Sequence, residues 1–187
     1  MASVEAAHSH VTYADLERWP DDGKQYELYD GEVRVVPSPG NLHQFVQANI
    51  LDILQEYRKI HGGVVFASPL DIIFQEDTVV QPDITFLAAQ TARLLDMLKP
   101  IRFAPDLVVE ILSPSTSKWD RIKKYGVYAR HGVAEYWIVD PAKETFEIFA
   151  LRDGTYELAS SGQRTGQFTS STLPGLIVDL ERVLSTL

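Results

Sequence analysis

Residues Leu107-Val108-Val109-Glu110-Ile111-Leu112 make an apolar run broken by a single carboxylate. A short run that is apolar at both alternating positions reads as a strand buried on both faces. Such a strand belongs in the middle of a sheet, so the chain must lay other elements over both sides of it. An ionised Glu in that setting is costly unless a cation or strong donors meet it. Two readings stand side by side. Glu110 pairs with an Arg or Lys from a neighbour, or it projects from the central strand as a metal ligand.

The flanking sequence supplies the other elements. Thr12 reads as the N-cap of a short helix over 12–19 with Asp15 closing a capping box, and Pro20-Asp21-Asp22-Gly23 stops it. Residues 26–36 read as a hairpin around Asp30-Gly31. Leu42, Phe45, Val46, Ile50, Ile53, Leu54 and Tyr57 follow a 3.6 period and mark a helix over 42–60, ended by Gly62-Gly63. Asn49 falls inside that arc and needs a polar partner. Strands are expected over 64–67, 70–74 and 83–87, and a short helix over 91–98. A second long helix covers 117–130, and a strand covers 135–139. A hairpin turns at Asp153-Gly154, and a strand and short helix form the tail. In 187 residues without an internal repeat, this order gives one α/β (α+β) domain. Its central mixed sheet is flanked by helices, with extra N-terminal and C-terminal hairpins. Residues 1–11 read as a loose leader.

Asp83 is the second acid of interest. Gln81-Pro82-Asp83-Ile84 places it where a strand begins. Without Glu110 it reads as a turn cap, the commonest use of Pro-Asp. If Asp83 and Glu110 converge within ~4 Å, their repulsion is about 4 kcal/mol at an effective dielectric near 20. A divalent cation relieves it, and an all-oxygen ligand set favours Mg²⁺ or Mn²⁺ over Zn²⁺. Asp106 shares a strand face with Glu110 but lies about 13 Å away at ~3.3 Å per residue, too far to share an ion. It reads as a strand-start residue. Asp71 is a weaker third ligand candidate.

Asp120, Lys124 and Tyr128 fall on one face of the 117–130 helix, and Trp119, Ile122, Tyr125 and Ala129 on an opposite, core-like face. Lys124 reads either as a solvated lysine partnered by Asp120 or as the cation that orients a nucleophilic water. The chain carries a net charge of −9, which argues against a non-specific nucleic-acid coat. Yet Lys118, Arg121, Lys123, Lys124 and Arg130 stand on this helix against Asp120 alone. A phosphate backbone has a local place to bind there, through Lys118, Arg121 and Lys123. His43, at the start of the first long helix, reads as a site contact or as a hydrogen-bonded structural residue. Cys is absent, which removes thiolate chemistry and fits a cytoplasmic protein. No basic patch followed by an apolar run opens the chain, and no membrane-length apolar segment occurs, so neither signal peptide nor membrane partner is expected.

The blocks Tyr26-Glu27-Leu28-Tyr29-Asp30-Gly31-Glu32, Gln81-Pro82-Asp83-Ile84, Val109-Glu110-Ile111-Leu112-Ser113-Pro114-Ser115-Thr116 and Glu135-Tyr136-Trp137-Ile138-Val139-Asp140-Pro141 resemble the Uma-two family. That family is the restriction-endonuclease-like group of the PD-(D/E)XK nuclease superfamily. The likeness also takes in His43, Asp120 with Lys124 and Leu173-Pro174-Gly175-Leu176, and spans about residues 12 to 185. It implies a restriction-endonuclease-like core and metal-dependent hydrolysis of phosphodiesters in DNA. Asp83 and Glu110 then match the superfamily's two acids, with the Ile111 carbonyl as an extra metal contact. Two residues after Glu110 stands Leu112 rather than Lys, so the lysine's role falls to Lys124 on the next helix. A duplex has two strands to cut, so a homodimer is expected. The alternative is a nuclease-like domain that binds nucleic acid or a protein without cutting.

Overall fold

The computed structural model describes residues 10–113 and 117–185. The expected leader therefore lies largely outside the described residues, as does the stretch 114–116. In chain order the elements are α1 (Tyr13–Leu16), β1 (Gln25–Tyr29), β2 (Glu32–Val36), α2 (Asn41–His61), β3 (Val64–Ala67), β4 (Ile72–Gln75), β5 (Thr78–Val80), β6 (Ile84–Leu87) and β7 (Leu107–Ile111). There follow α3 (Ser117–Trp119), a π-turn (Asp120–Lys124), α4 (Tyr125–Arg130), β8 (Glu135–Asp140), β9 (Thr145–Arg152), β10 (Thr155–Gln163), β11 (Gln167–Thr169), β12 (Ile177–Asp179) and α5 (Leu180–Leu184).

A six-stranded sheet runs β10-β9-β8-β7-β6-β3. Only the β7–β8 pair in it is parallel; the others are antiparallel. Strand β7 is interior, as its sequence demands, and all five of its residues are buried. Leu107, Val109 and Ile111 point into a core shared with Val46, Ile50 and Leu54 of α2 and with Leu180 and Val183 of α5. Val108 and Leu112 point the other way, into a core with Tyr128 of α4, Tyr136, Ile138 and Tyr29. Glu110 alternates with the second set, so its carboxylate faces α4 and β1.

The N-terminal hairpin turns on Asp30 (φ 53°) and Gly31 (φ 83°), the left-handed pair that a two-residue turn between twisted strands requires. It is more than an appended hairpin. Strands β5 and β4 extend it into a four-stranded sheet ordered β2-β1-β5-β4, which walls one side of the site. Strand β5 was missed because its run Thr78-Val79-Val80 is only three residues long.

Helix α2 extends over the expected residues, and Asn49 caps the chain's end by donating to the Val183 and Ser185 carbonyls. Leu42 and Phe45 are exposed: the first turn of α2 stands at the rim of a cavity, where His43 faces inward, instead of on the sheet. The short helix expected over 91–98 is only a 3₁₀ turn, Thr91–Leu94. Met97 and Leu98 are exposed and give a longer helix no face to bury. Helix α1 stops at Leu16, short of Trp19, and Asp15 accepts from both the Thr12 amide and hydroxyl. Val11, from the expected leader, donates to the Gly31 carbonyl.

Candidate active site

The site lies where the end of β7, the start of β6, strand β1 and the π-turn meet. Asp83 directly precedes β6. Its Oδ2 accepts from the Ile111 amide at 2.6 Å and faces His43 Nε2 at 3.1 Å. A carboxylate only accepts, so Nε2 carries the proton in that bond. His43 Nδ1 is then left buried with no partner among the described residues. Gln47, one helical turn along, donates to the Asp83 carbonyl at 2.8 Å. The first two turns of α2 thus fix both the side chain and the backbone of Asp83.

Lys124 reaches Glu110 from the helix side. Its Nζ is 2.9 Å from Glu110 Oε1, 3.0 Å from Glu27 Oε1 and 3.9 Å from Asp120 Oδ1. Tyr128 donates to Glu110 Oε1 at 2.6 Å. Glu110, Asp120 and Lys124 are 3%, 3% and 4% exposed. The solvated-lysine reading is therefore wrong, and the core-like face holds for Trp119, Tyr125 and Ala129, which pack against the core, but not for Ile122. Asp120, Lys124 and Tyr128 point inward, while Ile122 is 64% exposed and Trp119, Tyr125 and Ala129 are half-buried. Two buried carboxylates beneath the helix attract the ammonium more strongly than a modest apolar stripe attracts the core, because a buried charge left unpaired is the costlier error. The π-turn sits at this point, and Tyr136 holds it by donating to the Asp120 carbonyl at 3.1 Å. Such local widenings recur where a helix re-aims side chains at a site.

Glu27 carries as much of the arrangement as Glu110 and was not singled out in the sequence. Its Oε1 accepts from Lys124 and from the Gln81 amide at 2.9 Å, and its Oε2 accepts from Tyr29 at 2.9 Å. The signal was present: an acid between Tyr26 and Leu28 in a strand is the same pattern as Glu110.

Glu27, Glu110 and Asp120 stand within 4 Å of one ammonium, and Asp83 lines the same cavity. Burial pushes the Glu110 carboxyl well above the usual range; Lys124 opposes this, and Asp83, Asp120 and Glu27 add to it. For Lys124 burial works against the charge, but Glu110, Glu27, Tyr29 and Asp120 outweigh it and hold the ammonium above its ordinary value. The site is thus short of positive charge. Asp83 Oδ1 and Glu110 Oε2 take no hydrogen bond from the described residues. The cavity they share measures about 60 Å³, room for an ion and a few waters. This donor set fits a hard cation held by two carboxylates that keeps several waters, the habit of Mg²⁺. Among the described residues no three acidic or histidine side chains form a ready-made metal cage.

The remaining sequence candidates fall elsewhere. Asp71 accepts from Gln81 Nε2 at 2.7 Å and lies outside the cavity lining. Asp106 accepts from the Ala88 amide and the Thr91 hydroxyl, a capping role. Arg121 is paired with Glu147 at 2.6 Å, and Lys123 with Asp30 at 3.1 Å; Lys118 is exposed. After β2, Pro37, Ser38 and Pro39 line the cavity, whereas the turn between β4 and β5 is tied through Glu76 and Asp77 to Tyr13, Gly31 and Arg102 and takes no part in the lining. No helix among the described residues is long and apolar enough to cross a membrane.

The family model for Uma2, described as "Putative restriction endonuclease", matches residues 13–181. No curated protein matches the chain. Among solved structures, the chain is similar to one described as "a putative nuclease belonging to DUF820" from Anabaena variabilis ATCC 29413. The TM-score is 0.76 at 20% identity, covering 93% of this chain and 97% of that one. At that identity the likeness speaks to the fold.

Proposed function

We propose, from the premise that the chain belongs to the Uma2 family, that it is a nuclease hydrolysing phosphodiester bonds in DNA with Mg²⁺ or Mn²⁺. The observation that carries this is the juxtaposition of Asp83 and Glu110 across one small cavity with an excess of carboxylate over ammonium. Asp83, Glu110 and the Ile111 carbonyl would hold the cation. When bound, it supplies Lewis-acid polarisation of the phosphate and a lowered pKa for water.

The chain's own residues do the rest. His43 and the Ile111 amide fix Asp83 in one rotamer, so the ligand geometry is set before substrate arrives. Glu27 keeps Lys124 paired when Glu110 turns toward a cation, because the ammonium bridges both acids. Lys124 then donates to the attacking water or to a phosphoryl oxygen as negative charge builds there. The lysine comes from the helix rather than from the strand position of Leu112, whose side chain is buried in the core.

Plasmid and single-stranded DNA incubated with Mn²⁺ or EDTA test this, beside Asp83→Ala and Glu110→Ala. Cleavage that needs the metal and vanishes in both variants is expected. Unchanged cleavage in the variants would sink the assignment.

A second reading has its own observation. Lys124 already sits between Glu27 and Glu110, so it can serve as a purely internal counter-cation in a domain that binds nucleic acid without cutting. Intact DNA across metals, with a folded protein, selects it. The homodimer expected of a duplex cutter is part of the first reading only, and sedimentation at several protein concentrations checks it.

A further inference from the structure

We propose that a groove beside the acid cavity is a base-stacking subsite, so that the substrate is DNA presenting unpaired nucleotides next to the phosphate that enters the cavity; the link to cleavage rests on the nuclease reading above. The groove is lined by Arg34, Lys118, Trp119, Ile122 and Lys123. Arg34 also lines the acid cavity, so the two are continuous at that residue. Its guanidinium lies over the Trp119 ring at 4.3 Å. Trp119 in turn packs edge-on against Tyr29 at 4.9 Å, and Tyr29 is fully buried. The aromatic platform is thus anchored from beneath, and Ile122 extends its open surface.

The charges around this platform fall into two groups. Arg121, Lys123 and Arg130 are each paired with a carboxylate. Arg34 and Lys118 have no such partner among the described residues. In a chain of net charge −9, these two cations flank an aromatic and aliphatic surface, and one of them, Arg34, also lines the acid cavity whose proposed cation would meet the phosphate. An unstacked base with its phosphates meets all of these features: a π-face for the Trp–Arg stack and anions for Arg34 and Lys118. A duplex keeps its base faces covered by their neighbours and offers the platform nothing. An apolar segment of a second copy would bury the two cations without neutralising them.

The test uses protein in EDTA, where nothing is cut. In a Trp19→Phe background, with Trp137 buried, Trp119 reports on the groove. Short oligo(dT) is titrated against an abasic strand of the same length. Quenching of Trp119 is expected, and the abasic strand should bind at least about fivefold more weakly, the factor that corresponds to the lower end of ~1–3 kcal/mol of stacking per base. Ile122→Glu, at an exposed position, should weaken oligo(dT) by a similar factor without moving thermal unfolding. Equal affinity for both strands, or unchanged binding by Ile122→Glu, overturns the subsite. So does self-association that Ile122→Glu abolishes, because the groove is then an interface between copies. The two readings fail separately. Glu110-dependent cleavage with equal binding of both strands removes only the subsite; base-dependent binding without cleavage removes only the nuclease.

Discussion

Lys124 concentrates the chemistry of a whole cavity in one side chain. Its ammonium is the counter-charge of Glu27 and Glu110 at 3.0 and 2.9 Å. Removing one member of a buried ionic group leaves its partners uncompensated, which costs about 3–5 kcal/mol. Lys124→Ala should therefore lower the free energy of unfolding by about that much in urea melts, and an exposed-lysine effect near zero would refute the buried geometry. Glu110 gives the opposite kind of handle. Burial raises its folded-state pKa above the ordinary 4.5. Between those two values the folded chain holds a proton that the unfolded chain has released. Stability then falls as pH rises through that window. In EDTA the melting temperature of the wild type should fall more steeply as pH rises above 4.5 than that of Glu110→Gln. Equal slopes for the two proteins would assign the dependence to other groups. Glu110 was legible because an acid inside an apolar strand has few uses. Lys124 was half-legible: its spacing to Asp120 and Tyr128 was plain, but which helix face turns inward depends on Glu27, which only tertiary structure brings beneath it.

Elements in this fold work as rails for those side chains. The joint between α2 and β3 shows how tightly one is set. Gly63 adopts φ +97°, and a Cβ there would come within 2.5 Å of the Leu87 carbonyl oxygen and 3.1 Å of the Phe86 ring. A backbone atom cannot yield as a flexible side chain can, and the left-handed conformation adds its own cost of ~1 kcal/mol or more. Gly63→Ala should destabilise by about 2 kcal/mol or more in denaturant melts, whereas Gly126→Ala, which meets nothing within 4 Å, should be neutral or stabilising because it sits inside a helix. The strands and α2 were readable because their patterns run for whole turns or pleats. The π-turn at Asp120–Lys124 was not, since its helical spacing differs from an α-helix by less than one residue per turn. The second sheet was also hidden, because the pairing of β1 with β5 joins segments some fifty residues apart through a single register pair, Leu28 with Val79.

At the scale of the molecule, two sheets and a helix pair converge on one acidic cavity in a chain of net charge −9. Such a site repels the phosphate it is proposed to cut until its charge is reduced. The excess of carboxylates over Lys124 sets the direction of the last prediction. A divalent cation bound only by the folded state stabilises it by mass action, about 2.7 kcal/mol at a hundredfold excess over its dissociation constant. Thermal unfolding should therefore shift upward with Mg²⁺ or Mn²⁺, and more than with NaCl of equal ionic strength, which separates site binding from general screening. The shift should shrink in Asp83→Asn and disappear in Glu110→Gln combined with it, because each substitution removes one oxygen charge from the cavity. Glu135 provides the contrast. It is fully buried too, yet its carboxylate is consumed by Trp137 Nε1, the Ser171 amide and hydroxyl, and the Thr172 amide. Glu135→Gln should therefore lose stability without changing the metal-dependent shift. A shift that follows Glu135 rather than Asp83 and Glu110 would place the cation at the wrong end of β8 and disconnect it from the chemistry.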